Sequence, residues 1–478
     1  MKLIENLKLI HKANKELDRL ERFVSSSYHN KGQQILPALL NELLKSYPNY
    51  NIDEEEIYKI ITDREKFSMA SWRSYCSQLN GLVEQFLIQE QLQENTFFQQ
   101  QLLAKAYQKR KSANEIKVYE KMLNDEKNSF SVEQKAKIYR QFLVHSSADA
   151  FPDADILEQA QFYTDCDFLF KRLRLALTAA ARQQVYQQTY NLVPISDVVK
   201  MAQLPVYQTI IRIKLYTEVL QLYSDKSETF FKQTVQNFKE NYQHLDSKQQ
   251  KELFSHIQNQ ITQKINTQGN LEAYQIAHEW FSLGLKEKFI APDNKRKLSE
   301  AMFMNIANTA AIVNVFEECE HFIKTYQSLI NSKSAFKIVL LCEVNLLLCR
   351  YQATKKDDLL AQAQAILLKI APKSLFLKLN CRIIDLKISY YKEDVVENKL
   401  LNFKLYLDNQ TKMEEHKKLG YINFCSSLKE IVRLQTLQVT LNQKEYDIRK
   451  YALLEVLKNT KVLSSRFWLT TSLLHRTN

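Results

Sequence analysis

Three groupings of side chains in this sequence could bind a metal: Cys319 with His321, Cys342 with Cys349, and His416 with Cys425. A structural zinc site takes Cys and His ligands in closely spaced pairs that close a tetrahedron. None of the three has that spacing. Cys342 and Cys349, one heptad apart, share a helix face, but in LLCEVNLLLC that face is apolar, and a free Cys there behaves as a small hydrophobe. The seven cysteines are an odd number without a CxxC pair, which fits a reducing compartment. Asp153, Asp155, Asp165 and Asp167 come nearest to a pair of carboxylates for acid and base catalysis. Capping a helix is the simpler use for Asp153 or Asp155, and the run Glu54, Glu55, Glu56 suits the positive end of a helix dipole. Nucleophile and phosphate motifs (GxSxG, HExxH, a Gly-rich loop) are missing, and five scattered glycines leave nowhere to hide one. No catalytic residue, metal or cofactor is expected, so the protein reads as a non-enzyme.

The remaining chemistry is binding. Basic residues cluster at Lys109, Arg110 and Lys111, at Lys171, Arg172 and Arg174, and at Lys295, Arg296 and Lys297. Each cluster could meet phosphates, although cations at the ends of helices serve the helix dipole equally well. The formal net charge of +12 over 478 residues is mild for a nucleic-acid binder. Lys outweighs Arg, whose planar fork is the better reader of phosphate and base edges; the basic balance is as much the imprint of codon bias as of selection for polyanions. Residues 53–90, DEEEIYKIITDREKFSMASWRSYCSQLNGLVEQFLIQE, set a short helix and a long one about five residues apart. This hairpin resembles the helical half of the winged-helix domains that precede helical repeats in some bacterial transcription activators. The resemblance implies a reading face of Arg73, Ser77, Gln78 and Asn80. The following ENTFFQQQLL is more helical than wing-like.

These residues must be positioned by helices. Five Gly and seven Pro fall far below the average of roughly 7% and 5%, leaving little material for hairpins and bulges, so the chain reads as all-α. In Val315–Ile370, three helices follow one another. The first carries the stripe Phe316, Cys319, Phe322, Ile323; the second, Phe336–Tyr351, is apolar nearly all round and must be central; the third has Ala363 for close approach. Upstream, Leu3, Leu7, Ile10, Leu17, Leu20 and Val24 make the stripe of one helix over 3–25. Asp53 caps Glu54–Thr62, a long helix runs from Ser68 to about Gln93, and Ser131 caps a helix from Val132. Ile156–Tyr190 is too long for one ordinary helix, which predicts a turn near Asp165 or a long bent helix. Pro194 and Pro205 bracket a short helix.

From Leu271 onward predicted helix starts recur every ~17 to ~26 residues and pairs every ~40, within the range of helical-hairpin repeats. CRYQATKKDDLLAQAQAILLKIAP, with a helix ending in Tyr351, a polar turn, an Ala-rich amphipathic helix and Pro372, resembles the tetratricopeptide-like α-solenoid class. The repeat Gly of that class is missing, and only Pro292 and Pro372 could close a unit. The resemblance implies a right-handed superhelical array of antiparallel helix pairs with a concave binding face.

The expected organisation is a helical domain over 1–150, bounded by SSADAFPDAD, and a repeat array over 151–478. The expected function is a bacterial scaffold or adaptor that holds a protein or peptide. A nucleic-acid-associated regulator is the alternative. A structural subunit of a larger assembly is another, because the segment with Phe467, Trp468, Leu473 and Leu474 is unusually apolar for a terminal repeat, so that a partner or second copy would cover it. Trp72, Trp280 and Trp468 sit at apolar helical positions, where core packing is the expected role for at least two. The first 23 residues lack a signal-peptide core, and no segment approaches about 18 uncharged apolar residues, so a cytoplasmic protein without membrane insertion is expected.

Overall fold

The computed structural model describes residues 2–10, 15–124, 130–145, 154–186, 190, 195–290, 298–331, 333–394, 396–411 and 413–475. Among these residues there are twenty-five α-helices and no β-strand. Cα packing divides the chain into two compact units, Met1–Phe168 and Leu169–Asn478. Most of SSADAFPDAD, including Asp153, lies outside the described residues, as do Pro194, Pro292 and the cluster Lys295, Arg296, Lys297.

The first unit holds α1 (Lys2–Leu7), α2 (Glu16–Ser25), α3 (Ser27–Asn30), α4 (Ile35–Lys45), α5 (Glu54–Thr62), α6 (Met69–Glu94), α7 (Thr96–Lys109), α8 (Asn114–Asn124) and α9 (Val132–His145). The single helix expected over 3–25 is two helices, the second preceded by Lys15 in the left-handed region at φ 56°. The stripe survives the break: Leu3, Leu7, Ile10, Leu17, Leu20 and Val24 are all buried, in one core with Leu39 and Leu43 of α4 and Trp72, Leu79 and Phe86 of α6. Caps fix the boundaries. The Asp53 carboxylate accepts from the Glu55 and Glu56 amides at 3.0 and 3.2 Å. Ser131 and Gln134 form a reciprocal capping box, each side chain accepting from the other's backbone N–H at 3.3 and 2.8 Å.

Helix α10 (Ala154–Tyr186) is continuous for 33 residues. The turn expected near Asp165 is absent, and the division between the units falls within this helix, between Phe168 and Leu169. The second unit continues with α11 (Ser196–Ala202), α12 (Pro205–Gln208), α13 (Ile211–Gln221), α14 (Glu228–Asn241), α15 (Ser247–Gln268), α16 (Leu271–Lys286), α17 (Glu300–Ile312), α18 (Phe316–Tyr326), α19 (Ala335–Thr354), α20 (Asp357–Lys369), α21 (Leu375–Tyr391), α22 (Val396–Asp408), α23 (Glu415–Leu437), α24 (Gln443–Asn459) and α25 (Arg466–His475). One signal recurs at the starts of α16, α17, α21 and α24: Asn270, Ser299, Ser374 and Asn442 each accept from the amide three residues on. Helix α19 is central as its composition demands, packed against α17, α18, α20 and α21. Helices of one row also touch each other directly, α17 with α19 and α19 with α21. Between α14, α16 and α18, side-chain contacts join residues 40 apart: the ion pair of Lys232 with Glu272, that of Lys239 with Glu279 at 2.7 Å, and His278 Nε2 with Glu318 at 3.3 Å.

Two helical glycines predict opposite responses to the same substitution. A Cβ on Gly81 of α6 meets nothing within 4 Å, whereas one on Gly284 of α16 falls 2.5 Å from Phe254 Cζ and 2.8 Å from Ile290 Cδ1. Gly81→Ala should stabilise by about 0.5–1 kcal/mol through helix propensity. Gly284→Ala should instead destabilise by about 1–3 kcal/mol by overpacking. Scanning calorimetry of the two variants checks both signs.

Candidate functional site

A constellation of polar groups facing shared space lies within the second unit. A cavity of about 440 Å³ is walled by α15, α16, α17, α19, α21 and α23 and by Ser464, Ser465, Phe467 and Trp468 around the start of α25. Its lining mixes apolar residues such as Ile265, Phe281, Leu348 and Ile384 with the carboxamides of Asn305, Asn308, Asn345 and Asn380. A volume of this order holds a small ligand or a few residues of a peptide.

Lys387 stands in this wall on α21, two turns beyond Asn380. Burial pushes its ammonium from lysine's ordinary 10.5 down to about 8. Its Nζ lies 5.4 Å from the ring of Trp468, and the lysine has no hydrogen bond or ion pair among the described residues. Cys349 of α19 is the nearest titratable neighbour, its thiol raised to about 11 by burial and therefore neutral. Tyr274 of α16 and Tyr421 of α23 are likewise held in the neutral phenol form by burial. No acid lines the cavity among the described residues. Beside it, Tyr391 Oη accepts from Trp468 Nε1 at 2.7 Å and from Gln352 Nε2, which fixes the indole. Asn308 Oδ1 is buried without a hydrogen-bond donor.

This environment sets a pH dependence. A folded-state value near 8 against about 10.5 in the unfolded chain means that the charged lysine opposes folding, fully below pH 8 and progressively less up to 10.5. Lys387→Met should therefore be more stable than the parent at pH 7, by on the order of 1–3 kcal/mol. The advantage should shrink between pH 8 and 10.5. Urea unfolding at pH 7 and pH 10 measures it; a destabilised variant at pH 7 would show that the ammonium is already compensated.

The far wall is held by Arg466, which is only 4% exposed. Its guanidinium donates to the carbonyls of Leu457, Lys458 (3.0 Å) and Thr460 at the end of α24, and of Asn266 (3.4 Å) near the end of α15. Two helix C-termini, the negative ends of their dipoles, thus share one cation across 200 residues of sequence. Tyr274 packs on Phe467 with ring centroids 5.0 Å apart.

The residues singled out by sequence are dispersed. Trp468 and Leu473 are buried in the chain's own core with Tyr390 and Phe424, Phe467 is half-buried against α16, and Leu474 alone is exposed, at 45%. The apolar segment is thereby largely covered from within. Trp72 and Trp280 are also buried. Arg73 and Gln78 are exposed on α6; Arg73 and Ser77 line a second cavity, in the first unit, with Lys2 and Glu54, while Asn80 is taken up by Asn6 (2.9 Å) and Glu84 (3.0 Å). The segment after the hairpin is helix α7. Lys109, Arg110 and Lys111 are exposed at its C-terminus, where Arg110 donates to the Ala106 carbonyl at 2.9 Å. Arg174 is paired with Glu252 of α15 at 2.7 Å, and Lys171 and Arg172 lie a turn or less before it on α10.

Cys319 is buried and His321 exposed, Cys425 is buried and His416 exposed, and Cys342 is enclosed in the core. No three His, Cys, Asp or Glu side chains among the described residues converge as metal ligands, and none of the described helices is long and apolar enough to cross a membrane. No protein-family model, curated protein or solved structure matches the chain. Lys387 and Arg466 escaped the sequence reading; the one available signal is a basic residue set against apolar neighbours, Lys in IIDLKISYY and Arg in SSRFWL.

Proposed function

We infer that the protein is a non-enzymatic binding module that holds a protein or peptide segment in the cavity of its second unit. In this reading α14 to α25 form a right-handed superhelical array of antiparallel pairs, an α-solenoid of the tetratricopeptide-like kind. The 40-residue spacing of the side-chain contacts between α14, α16 and α18 and the direct packing along α17, α19 and α21 support it. The observation that carries the functional reading is the cavity itself. Helices α15, α17, α19, α21 and α23 each present polar groups to one space, with carboxamides able to pair with a peptide backbone and apolar residues between them.

The experiment is affinity capture from the source cell after nuclease treatment, with the parent chain and with Asn345→Trp, which fills the cavity. Capture of one defined protein by the parent and its loss with a folded Asn345→Trp variant is the expected result. Equal capture by both, or loss of all bound protein with nuclease, would overturn the reading. A role as nucleic-acid regulator gains nothing comparable: of its described basic clusters one lies in each unit, and Arg174 and Arg110 already have partners.

A further inference from the structure

We propose that the cavity of the second unit is a carboxylate site, in which a ligand bearing one negative charge and at least one N–H or O–H donor seats its carboxylate on the Lys387 ammonium. The inference rests on the binding reading above and specifies the ligand's chemistry. It starts from a charge imbalance. Other partly buried lysines of this unit are matched, such as Lys264 with Glu228 and Lys399 with Asp385. Lys387 is partly buried on α21 beside Trp468, has no such partner among the described residues, and faces a space whose described lining contains no acid. The indole face of Trp468 offsets part of the missing solvation, but it accepts none of the ammonium's three N–H bonds. A partly desolvated ammonium facing a cavity gains from a counter-ion, and this cavity has room for one.

Charge number selects the anion. One ammonium balances one carboxylate. A phosphate dianion would leave a net negative charge among Ile383, Ile384 and Leu348, and no described Arg in the lining offers a fork for it. The second requirement comes from the carboxamides of Asn305 and Asn345, which line the same space and whose Oδ1 atoms can accept an N–H or O–H from the ligand. A peptide's terminal or side-chain carboxylate, or a free small acid, meets both.

The test uses the full chain and reads the acylation of Lys387 by limiting acetic anhydride, followed by mass spectrometry across pH. Four probes are offered: tripeptide mixtures with a free terminal carboxylate but no Asp or Glu, amidated mixtures with one Glu, amidated mixtures without an acid, and succinate. A carboxylate probe should protect Lys387 and raise the pH midpoint of its labelling by about one unit, which is about a tenfold loss of reactive amine. The first, second or fourth probe then identifies the source as chain terminus, side chain or free acid. Binding of that probe by calorimetry should be lost in Lys387→Met and kept in Lys387→Arg. Equal protection by the acid-free amidated mixture would overturn the carboxylate assignment and leave the peptide reading standing. Protection by none of the four would overturn both.

Discussion

Arg466→Ala should lower the stability of the second unit by about 2–4 kcal/mol, because four backbone carbonyls lose their donor and that of Leu457 is buried. The size follows from the asymmetry between making and breaking a buried polar contact: the alanine gains nothing, while the Leu457 carbonyl stays buried and those of Lys458 and Thr460 partly so. Arg466→Lys keeps the charge but not the planar fork, so it should recover roughly half of the loss. Gly269 supplies an internal control. It ends α15 at φ 56°, and a Cβ there would lie 2.8 Å from Arg466 Cδ and 2.9 Å from Cγ. Gly269→Ala should therefore cost more in the parent than in Arg466→Ala, where the Cδ and Cγ contacts have gone and only a 3.0 Å contact to Cβ and backbone strain remain. Calorimetry of the four chains measures the coupling. Additive losses would mean that Arg466 and Gly269 do not share the contact described.

Trp280→Ala should cost about 3–5 kcal/mol, the range for removing a large aromatic from a closed core. The indole is fully buried on α16, stacked on Phe254 with centroids 4.7 Å apart and planes 9° apart, and 5.3 Å from Phe238 of α14. It holds three helices through ring contacts. Its Nε1 has no acceptor, so Trp280→Phe removes an unsatisfied donor together with part of the packing and should cost only about 1–2 kcal/mol. A Phe variant as damaged as the Ala variant would show that the N–H has a partner, such as an internal water.

The local grammar of the fold was legible in the residues. Asp53, Ser68 and Ser131 stand before apolar periodicity in the sequence and mark the starts of α5, α6 and α9. Stripes such as Leu3 to Val24 name their buried face even where the helix breaks, since a break near Lys15 leaves the side of the chain that faces α6 unchanged. The candidate site was not legible. Helices α19 and α21 are apolar on several faces, so periodicity does not say which face looks onto the cavity. A Lys at position 387 reads there like any solvated lysine. Arg466 and Asn266 are brought together only by the packing of the intervening helices, and no local pattern encodes a contact at that range. The apolar C-terminal segment misled for a related reason: exposure was judged against its sequence neighbours, while its cover comes from Tyr274, Tyr390 and Phe424.

The bond from Arg466 to the Asn266 carbonyl also orders events during synthesis. Asn266 leaves the ribosome 200 residues ahead of its partner; at ~5–20 residues per second that is a delay of roughly 10–40 seconds. Helices α15 to α23 can stack as they emerge, through contacts between near neighbours, while the space they surround still lacks its last wall and Lys387 remains open to water. Closure is a late, long-range step whose loop entropy is met only by contacts made at the end. A nascent chain stalled before residue 466 should therefore present packed helices around an unfinished interior, the form most open to chaperone binding.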